Sequence, residues 1–113
     1  MFIPLQAEYL ALDGLARLLD TVELVRRRLN PGLTISGIII TRYDQRRRLN
    51  RDIIGTIRDH FPDIVFNTPI RDNISLAEAP SYGLNIFDYK NNSSGAADYA
   101  ALADEIIKRE ARP

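Results

Sequence analysis

The chain has 113 residues, the size of one domain, with 45% hydrophobic and 27% charged side chains, an ordinary globular composition. Fifteen basic and fifteen acidic residues cancel to zero net charge, which excludes a wholly basic nucleic-acid coat and an acidic disordered tail. With no cysteine and one histidine, His60, the composition also excludes disulfide scaffolds, iron–sulfur clusters, cysteine nucleophiles and the usual zinc sites.

Phe2 to Leu5 reads as a short apolar strand, with Pro4 tolerated near its end. A long amphipathic helix follows, with Leu12, Leu15, Leu19, Val22, Val25 and Leu29 at three- and four-residue spacing. Asn30-Pro31-Gly32 stops it. Leu33 to Thr41 ends as a charge-free β-branched run, the pattern of an interior parallel strand covered on both faces. After the loop Arg42 to Gln45, a second helix is predicted from Arg47 to His60, with Leu49, Ile53, Ile54, Ile57 and Phe61 inward. Ile64 to Phe66 reads as a short buried strand and Asn67 to Pro69 as a loop. Ser75 to Ala79 reads as one or two helical turns ended by Pro80, and Ile86-Phe87 as a last short strand. A final helix is predicted from Ala96 to Arg109, with Tyr99, Leu102, Ala103, Ile106 and Ile107 inward and the acids Asp104 and Glu105 on its solvated face.

Strands alternating with helices predict a single α/β domain over residues 1–113: three layers, a mainly parallel sheet with flanking helices. Ligands of such sheets bind beyond the carboxyl ends of the strands. The segments at that end are Gln6-Ala7-Glu8-Tyr9, Thr41 to Asp44, and Asn67 to Asn73. No apolar run approaches the roughly 20 residues of a membrane span. Met1 to Leu5 lacks the basic start of a secretory signal. A soluble, cytoplasmic chain with no membrane association is expected.

Charge is uneven along the chain. Residues 42–58 hold six arginines against Asp44 and Asp52, net +4, while residues 59–113 hold five basic and nine acidic residues, net −4. Arg46, Arg47, Arg48 and Arg51 crowd the start of the second helix, where positive charge opposes the macrodipole. A nucleic-acid phosphate would relieve that repulsion; a solvated charge run is the other reading. Arg26-Arg27-Arg28, at the end of the first helix, and His60, at the end of the second, are explained by the dipole alone. Neither G-x-x-x-x-G-K-[ST] nor G-x-G-x-x-G occurs, and no Ser or Thr has a candidate His base at the usual spacing.

Four ordered motifs then carry a resemblance over about residues 3–109. Pro4, Gln6 to Tyr9, Ala11-Leu12 and Gly14-Leu15 resemble the P-x-Q-A-E-Y-x-A-L-x-G-L segment of ParA/Soj-type partition ATPases. Asn30-Pro31 to Thr41-Arg42-Tyr43-Asp44 is similar to that family's N-P … G-x-x-x-T-x-Y-D stretch. Asn73 through Leu76-Ala77-Glu78-Ala79-Pro80-Ser81-Tyr82-Gly83 resembles N-V-x-L-S-E-A-P-S-x-G, and Gly95 to Ile106 resembles the closing helix. The resemblance implies the C-terminal portion of a deviant P-loop NTPase, Rossmann-like in fold. The half it does not match would carry the phosphate-loop lysine and the magnesium-coordinating aspartate.

For the intact family it implies ATP and Mg2+ as cofactors, ATP-bound dimers, nonspecific DNA binding, a ParB/Spo0J-type partner, and a role in segregating chromosomes or plasmids at the nucleoid. For this chain alone it implies no cofactor and no ATPase activity, since hydrolysis draws on phosphate-loop amides, lysine and magnesium. Residue by residue, Thr41, Arg42, Ile70, Arg71, Asp72 and Asn73 match positions that frame the adenine base. Arg71 stands where the family usually has proline, and Asp72 where it often has arginine. Arg46, Arg47, Arg48 and Arg51 match part of the family's DNA surface, and Ser75 replaces an arginine of the rest. Weak DNA binding and homo-oligomerisation through the uncovered first strand are expected. The alternative is a stand-alone, non-enzymatic DNA-binding or regulatory module that pairs with a full-length relative.

Overall fold

The computed structural model describes residues 1–7 and 12–111, the side chain of Leu12 excepted. Strand β1 (Phe2–Gln6) leads to helix α1 (Leu12–Arg28) and back to strand β2 (Gly37–Thr41). The two strands pair in parallel, Phe2 opposite Gly37 and Gln6 opposite Thr41, so α1 is the crossover that a parallel pair requires. Helix α2 (Arg48–His60), the short α3 (Ile74–Glu78) with a 3-10 turn (Ala79–Tyr82), α4 (Ile86–Tyr89) and α5 (Ser94–Glu110) complete the chain.

Alternation along β2 divides the core. Ile38 and Ile40 pack on one face with Ile3, Leu15 of α1, and Ile54 and Ile57 of α2. Ile39 packs on the other with Phe66, Ile70, Leu76, and Leu102 and Ile106 of α5. Helices therefore cover both faces of a parallel sheet, the partial Rossmann-like α/β arrangement of a P-loop NTPase. Residue 37, at the start of β2, is held to glycine because a Cβ there would collide with the Phe66 ring. The strand is shorter than the predicted Leu33–Thr41.

The predicted strand Ile64–Phe66 does not form a continuous ladder. The segment runs parallel along β2, bridging to it at Ile38 with Val65 and, just past its end, at Tyr43 with Arg71. Phe66 N–H donates to the Ile38 carbonyl at 2.9 Å and Ile70 N–H to that of Ile40 at 2.8 Å. Four residues of advance on this segment thus match two on β2. In between, the amides of Asn67 and Thr68 turn away to the Glu105 carboxylate, and Pro69 has none to give.

Four further expectations are corrected. Ile86-Phe87 is not a strand but the first turn of α4, because the Asn85 side chain caps it by accepting from Asp88 N–H. Pro80 does not end the preceding turn; it sits at the start of the 3-10 turn, which Gly83 closes with φ 67°. Leu49, expected inward, is exposed, and Asn50 takes the buried place beside Ile54 and Ile57 because its Oδ1 accepts from Asp44 N–H. On α5, Ala103 and Ile107 face outward as well, and Tyr99 is exposed at its rim. Arg26 and Arg27 at the end of α1 pair with Glu23; the hydrogen bond from Arg26 leads in pushing that carboxyl down to about 2. No helix among the described residues is long and apolar enough to cross a membrane.

Candidate functional site

The carboxyl ends of β2 and of the segment beside it meet in a shallow pocket of about 310 Å³. It is lined by Thr41, Arg42, Ile70, Arg71, Asp72 and Asn73, with Leu76 and Ala77 of α3 and Tyr99 of α5. All six residues singled out at the strand ends are therefore brought together, although Thr41 and Asn73 are far apart in sequence. Glu8 and Tyr9 of the first strand-end loop lie outside the described residues.

Each wall has a local cause. Thr41 closes β2, its hydroxyl donating to the Leu5 carbonyl at 3.3 Å. Arg42 then turns the chain with φ 52°, a left-handed conformation in which a non-glycine residue is strained. Its guanidinium comes within 3.7 Å of the Asp72 carboxylate across the mouth. Ile70, wholly buried, ties the loop to the core. Asn73 caps α3 by accepting from Ser75 N–H and donates from Nδ2 to Ser94 Oγ. The apolar contribution comes from Ile70, Leu76, Ala77 and the Tyr99 ring, and the polar one from the loop and Arg42.

Arg71 is held more firmly than its neighbours. Its Nε and Nη2 donate to both oxygens of Asp98 on α5 at 2.9–3.2 Å, and its backbone N–H donates to Asp98 Oδ2 at 2.8 Å. The Asp98 side chain is only 12% exposed, against 44% for Arg71. Hydrogen bonding to Asp98 raises the Arg71 pKa further above its ordinary value. Asp98 escaped the sequence reading because nothing local marks a carboxylate on a helix as the partner of an arginine 27 residues earlier.

The arginine ridge lies beside this pocket. Asp44 is its centre: Oδ1 accepts from Arg46 N–H and Nε at 3.0 and 3.1 Å, and Arg47 Nε lies 3.7 Å from Oδ2. The hydrogen bond from Arg46 leads in holding the Asp44 carboxyl below the usual range. Arg48 lies 3.6 Å from Asp52, and Arg51 donates to the Gln45 carbonyl at 2.6 Å. Arg47 is the N-cap of α2 with no side-chain cap bond, and the first turn carries no acid. Four arginines against two carboxylates leave this end electropositive. A concavity of about 200 Å³ lined by Tyr43 to Arg46, Arg71, Asp72 and Ser94 joins the ridge to the pocket. Glu105, expected on a solvated face, is instead a half-buried anchor: it accepts from Asn67 and Thr68 N–H at 2.7 and 2.9 Å and lies 2.9 Å from the Arg109 guanidinium. Burial pushes its carboxyl up, but the Asn67 and Thr68 hydrogen bonds and the Arg109 charge outweigh that and hold it low.

A parallel α/β sheet with a pocket beyond its strand ends is the arrangement of nucleotide-binding α/β proteins. No family model matches the sequence. Individual proteins do. The chain is 47% identical over 110 residues to the chromosome-partitioning ATPase Soj of Treponema pallidum, covering 97% of this chain and 44% of that protein. It is 42% identical over 110 residues to the chromosome partitioning protein ParA of Caulobacter vibrioides, 97% of this chain and 41% of that one. Against the sporulation initiation inhibitor protein Soj of Bacillus subtilis it is 44% identical over 104 residues, 92% of this chain and 41% of that one. The chain spans less than half the length of the curated relatives it matches. Its sequence is of ParA/Soj type and corresponds to the C-terminal part of such a protein.

Proposed function

We propose that this chain serves chromosome or plasmid partitioning as part of a ParA/Soj-type ATPase, supplying the adenine-side wall of a nucleotide site and part of a nonspecific DNA surface. The observation that carries the reading is the strand-end pocket, which gathers Thr41, Arg42 and the Ile70–Asn73 loop against Leu76, Ala77 and Tyr99. A planar base fits such a wall: apolar side chains on its faces and loop backbone on its edge. The residues present suit the base rather than the phosphates. The sequence has no glycine-rich, lysine-bearing loop, and among the described residues no cluster of three acids or histidines is set to hold a metal. On this reading triphosphate and Mg2+ are held by other parts of the ATPase, and no ATP hydrolysis is expected of the chain alone.

The ridge of Arg46, Arg47, Arg48 and Arg51 supports the DNA part of the reading, as exposed arginines beside a helix start favour phosphate oxygens. The open edge of β1 supports self-association: among the described residues β1 pairs only with β2. A ParB/Spo0J-type partner and a nucleoid-associated, cytoplasmic place go with the same reading.

Titration with adenosine, followed by backbone NMR, tests the nucleotide wall. Shifts at Thr41, Ile70, Asp72 and Ala77 at millimolar ligand are expected. Shifts scattered elsewhere, or none at saturation, overturn it.

A further inference from the structure

The loop that forms one side of the strand-end pocket does not hold itself. Its sequence, Ile70-Arg71-Asp72-Asn73, has no glycine or proline, and its one local side-chain bond is the Asn73 cap of α3. The rest of its conformation comes from attachments to the β2 side and to α5. On the β2 side, Tyr43 N–H donates to the Ile70 carbonyl and Asp72 N–H donates to the Tyr43 carbonyl. On the α5 side there are two: Asn73 reaches Ser94 Oγ, and Arg71 reaches Asp98 with its backbone and its guanidinium together.

The Asp98 attachment differs from an ordinary surface ion pair. One carboxylate, largely withdrawn from water, fixes a main-chain amide and a side-chain fork at the same time. The amide bond sets where the loop backbone runs. The fork sets where the Arg71 side chain stands, and that side chain lines both the strand-end pocket and the smaller concavity beside it. Arg71 is thus a wall shared by the two hollows, and its place is decided from α5, one residue before the pocket-lining Tyr99.

We infer that Asp98 is a positioning residue: by holding Arg71 at both backbone and guanidinium it keeps the 70–73 loop pre-formed and the strand-end pocket separate from the hollow beside the arginine ridge. This rests on the nucleotide-wall reading only for the identity of the ligand; the anchoring is testable without one. A pre-formed loop spares the ligand the ordering it would otherwise impose. A loosened Arg71 would also be free to swing toward either hollow, so losing Asp98 changes both the order of the loop and the shape of the pocket.

The test uses the 113-residue chain with Asp98→Ala, Arg71→Ala and the double variant. Hydrogen exchange at the amides of residues 71–73 reads the loop, a urea midpoint reads the fold, and adenosine titration reads the pocket. Asp98→Ala is expected to speed loop exchange about tenfold or more while exchange in α2 stays as it was, as local opening predicts. Adding Arg71→Ala to it changes nothing further, because the two residues act as one unit. Adenosine affinity falls by about fivefold in Asp98→Ala and in the double alike. Arg71→Ala alone, at a half-exposed position, keeps the amide bond to Asp98 and gives a smaller rise; it also serves if Asp98→Ala fails to fold. Loop exchange unchanged in both single variants, additive effects in the double, or exchange rising equally throughout the chain overturns the proposal. Absence of adenosine binding by the unaltered chain defeats the nucleotide wall alone, and the exchange measurements still decide the anchor.

Discussion

Arginines on two sides of this molecule meet carboxylates in opposite ways. On α5, Asp98 and Glu105 are 12% and 15% exposed; Asp98 fixes one main-chain amide and Glu105 two, each with an arginine besides. On the ridge, Arg46 and Arg48 are each 87% exposed: Arg48 pairs with Asp52, which is 65% exposed, while Asp44, 19% exposed and bound also by the Arg46 amide, meets arginines whose own heads stand in water. The same residue types therefore do different work. A carboxylate removed from water that satisfies several donors is costly to lose, because the donors are stranded. An exposed pair is screened and adds little, often below 1 kcal/mol. The α5 docks hold the fold together at the segment where the β ladder is interrupted. The ridge leaves its charge available to a partner.

The largest expected effect is at Glu105. Replacing it with Ala strands the Asn67 and Thr68 amides and frees Arg109, which also donates to the Val65 carbonyl and stacks 4.5 Å from the Phe66 ring centre. A loss of about 3 kcal/mol is expected from urea unfolding. The pH dependence carries the same mark. Folded Glu105 titrates below its unfolded value, so its contribution is complete above roughly pH 4.3 and disappears as pH falls through the folded pKa. Glu105→Gln should flatten the stability curve on the acid side while leaving the slope above pH 6 alone. An unchanged acid limb would mean that the Asn67 and Thr68 amides do not hold Glu105 as a carboxylate.

The ridge predicts the converse. Changing Arg46, Arg47, Arg48 and Arg51 together to Ala should leave the urea midpoint close to that of the unaltered chain. The same variant should abolish DNA retention in low-salt gel shifts, where the unaltered chain shows weak affinity that falls steeply with salt. A large stability loss would place the ridge among the structural docks and remove the contrast. Unchanged DNA affinity would move the DNA surface elsewhere.

How far the sequence discloses this design follows the range of the interactions involved. The α/β class, both strands that pair, the three long helices and the strand-end position of the pocket residues are written in local periodicity and β-branched runs, and the structure has them. So is most of the buried side of α2, where Ile53, Ile54, Ile57 and Phe61 pack inward; Asn50, not Leu49, takes the remaining place, by a bond to Asp44 N–H that hydrophobic spacing ignores. The broken third strand is set by Glu105, 38 residues away from Asn67, and the pocket wall by Asp98, 27 residues from Arg71. Polar anchors across such separations leave no periodic trace. Helix α4 is a different failure: Asn85 followed by Asp88 is a readable cap, overlooked in favour of the apolar pair Ile86-Phe87.

Arg42 stands between the two regions, next to the pocket and ahead of the ridge, and gives the smallest effect. Its left-handed backbone costs roughly 1–2 kcal/mol for a residue with a Cβ. Glycine removes that strain but loses about 0.5–1 kcal/mol more chain entropy on folding. The half-exposed pair with Asp72 at 3.7 Å contributes little on the other side of the balance. Arg42→Gly is therefore expected to stabilise the chain by about 0.5 kcal/mol, read as a small rise in urea midpoint. Strain retained at a strand end beside a pocket is the pattern of a position kept for binding. The same variant should then weaken adenosine binding even as the fold gains, and a simultaneous loss of both would show that Arg42 belongs with the docks of α5.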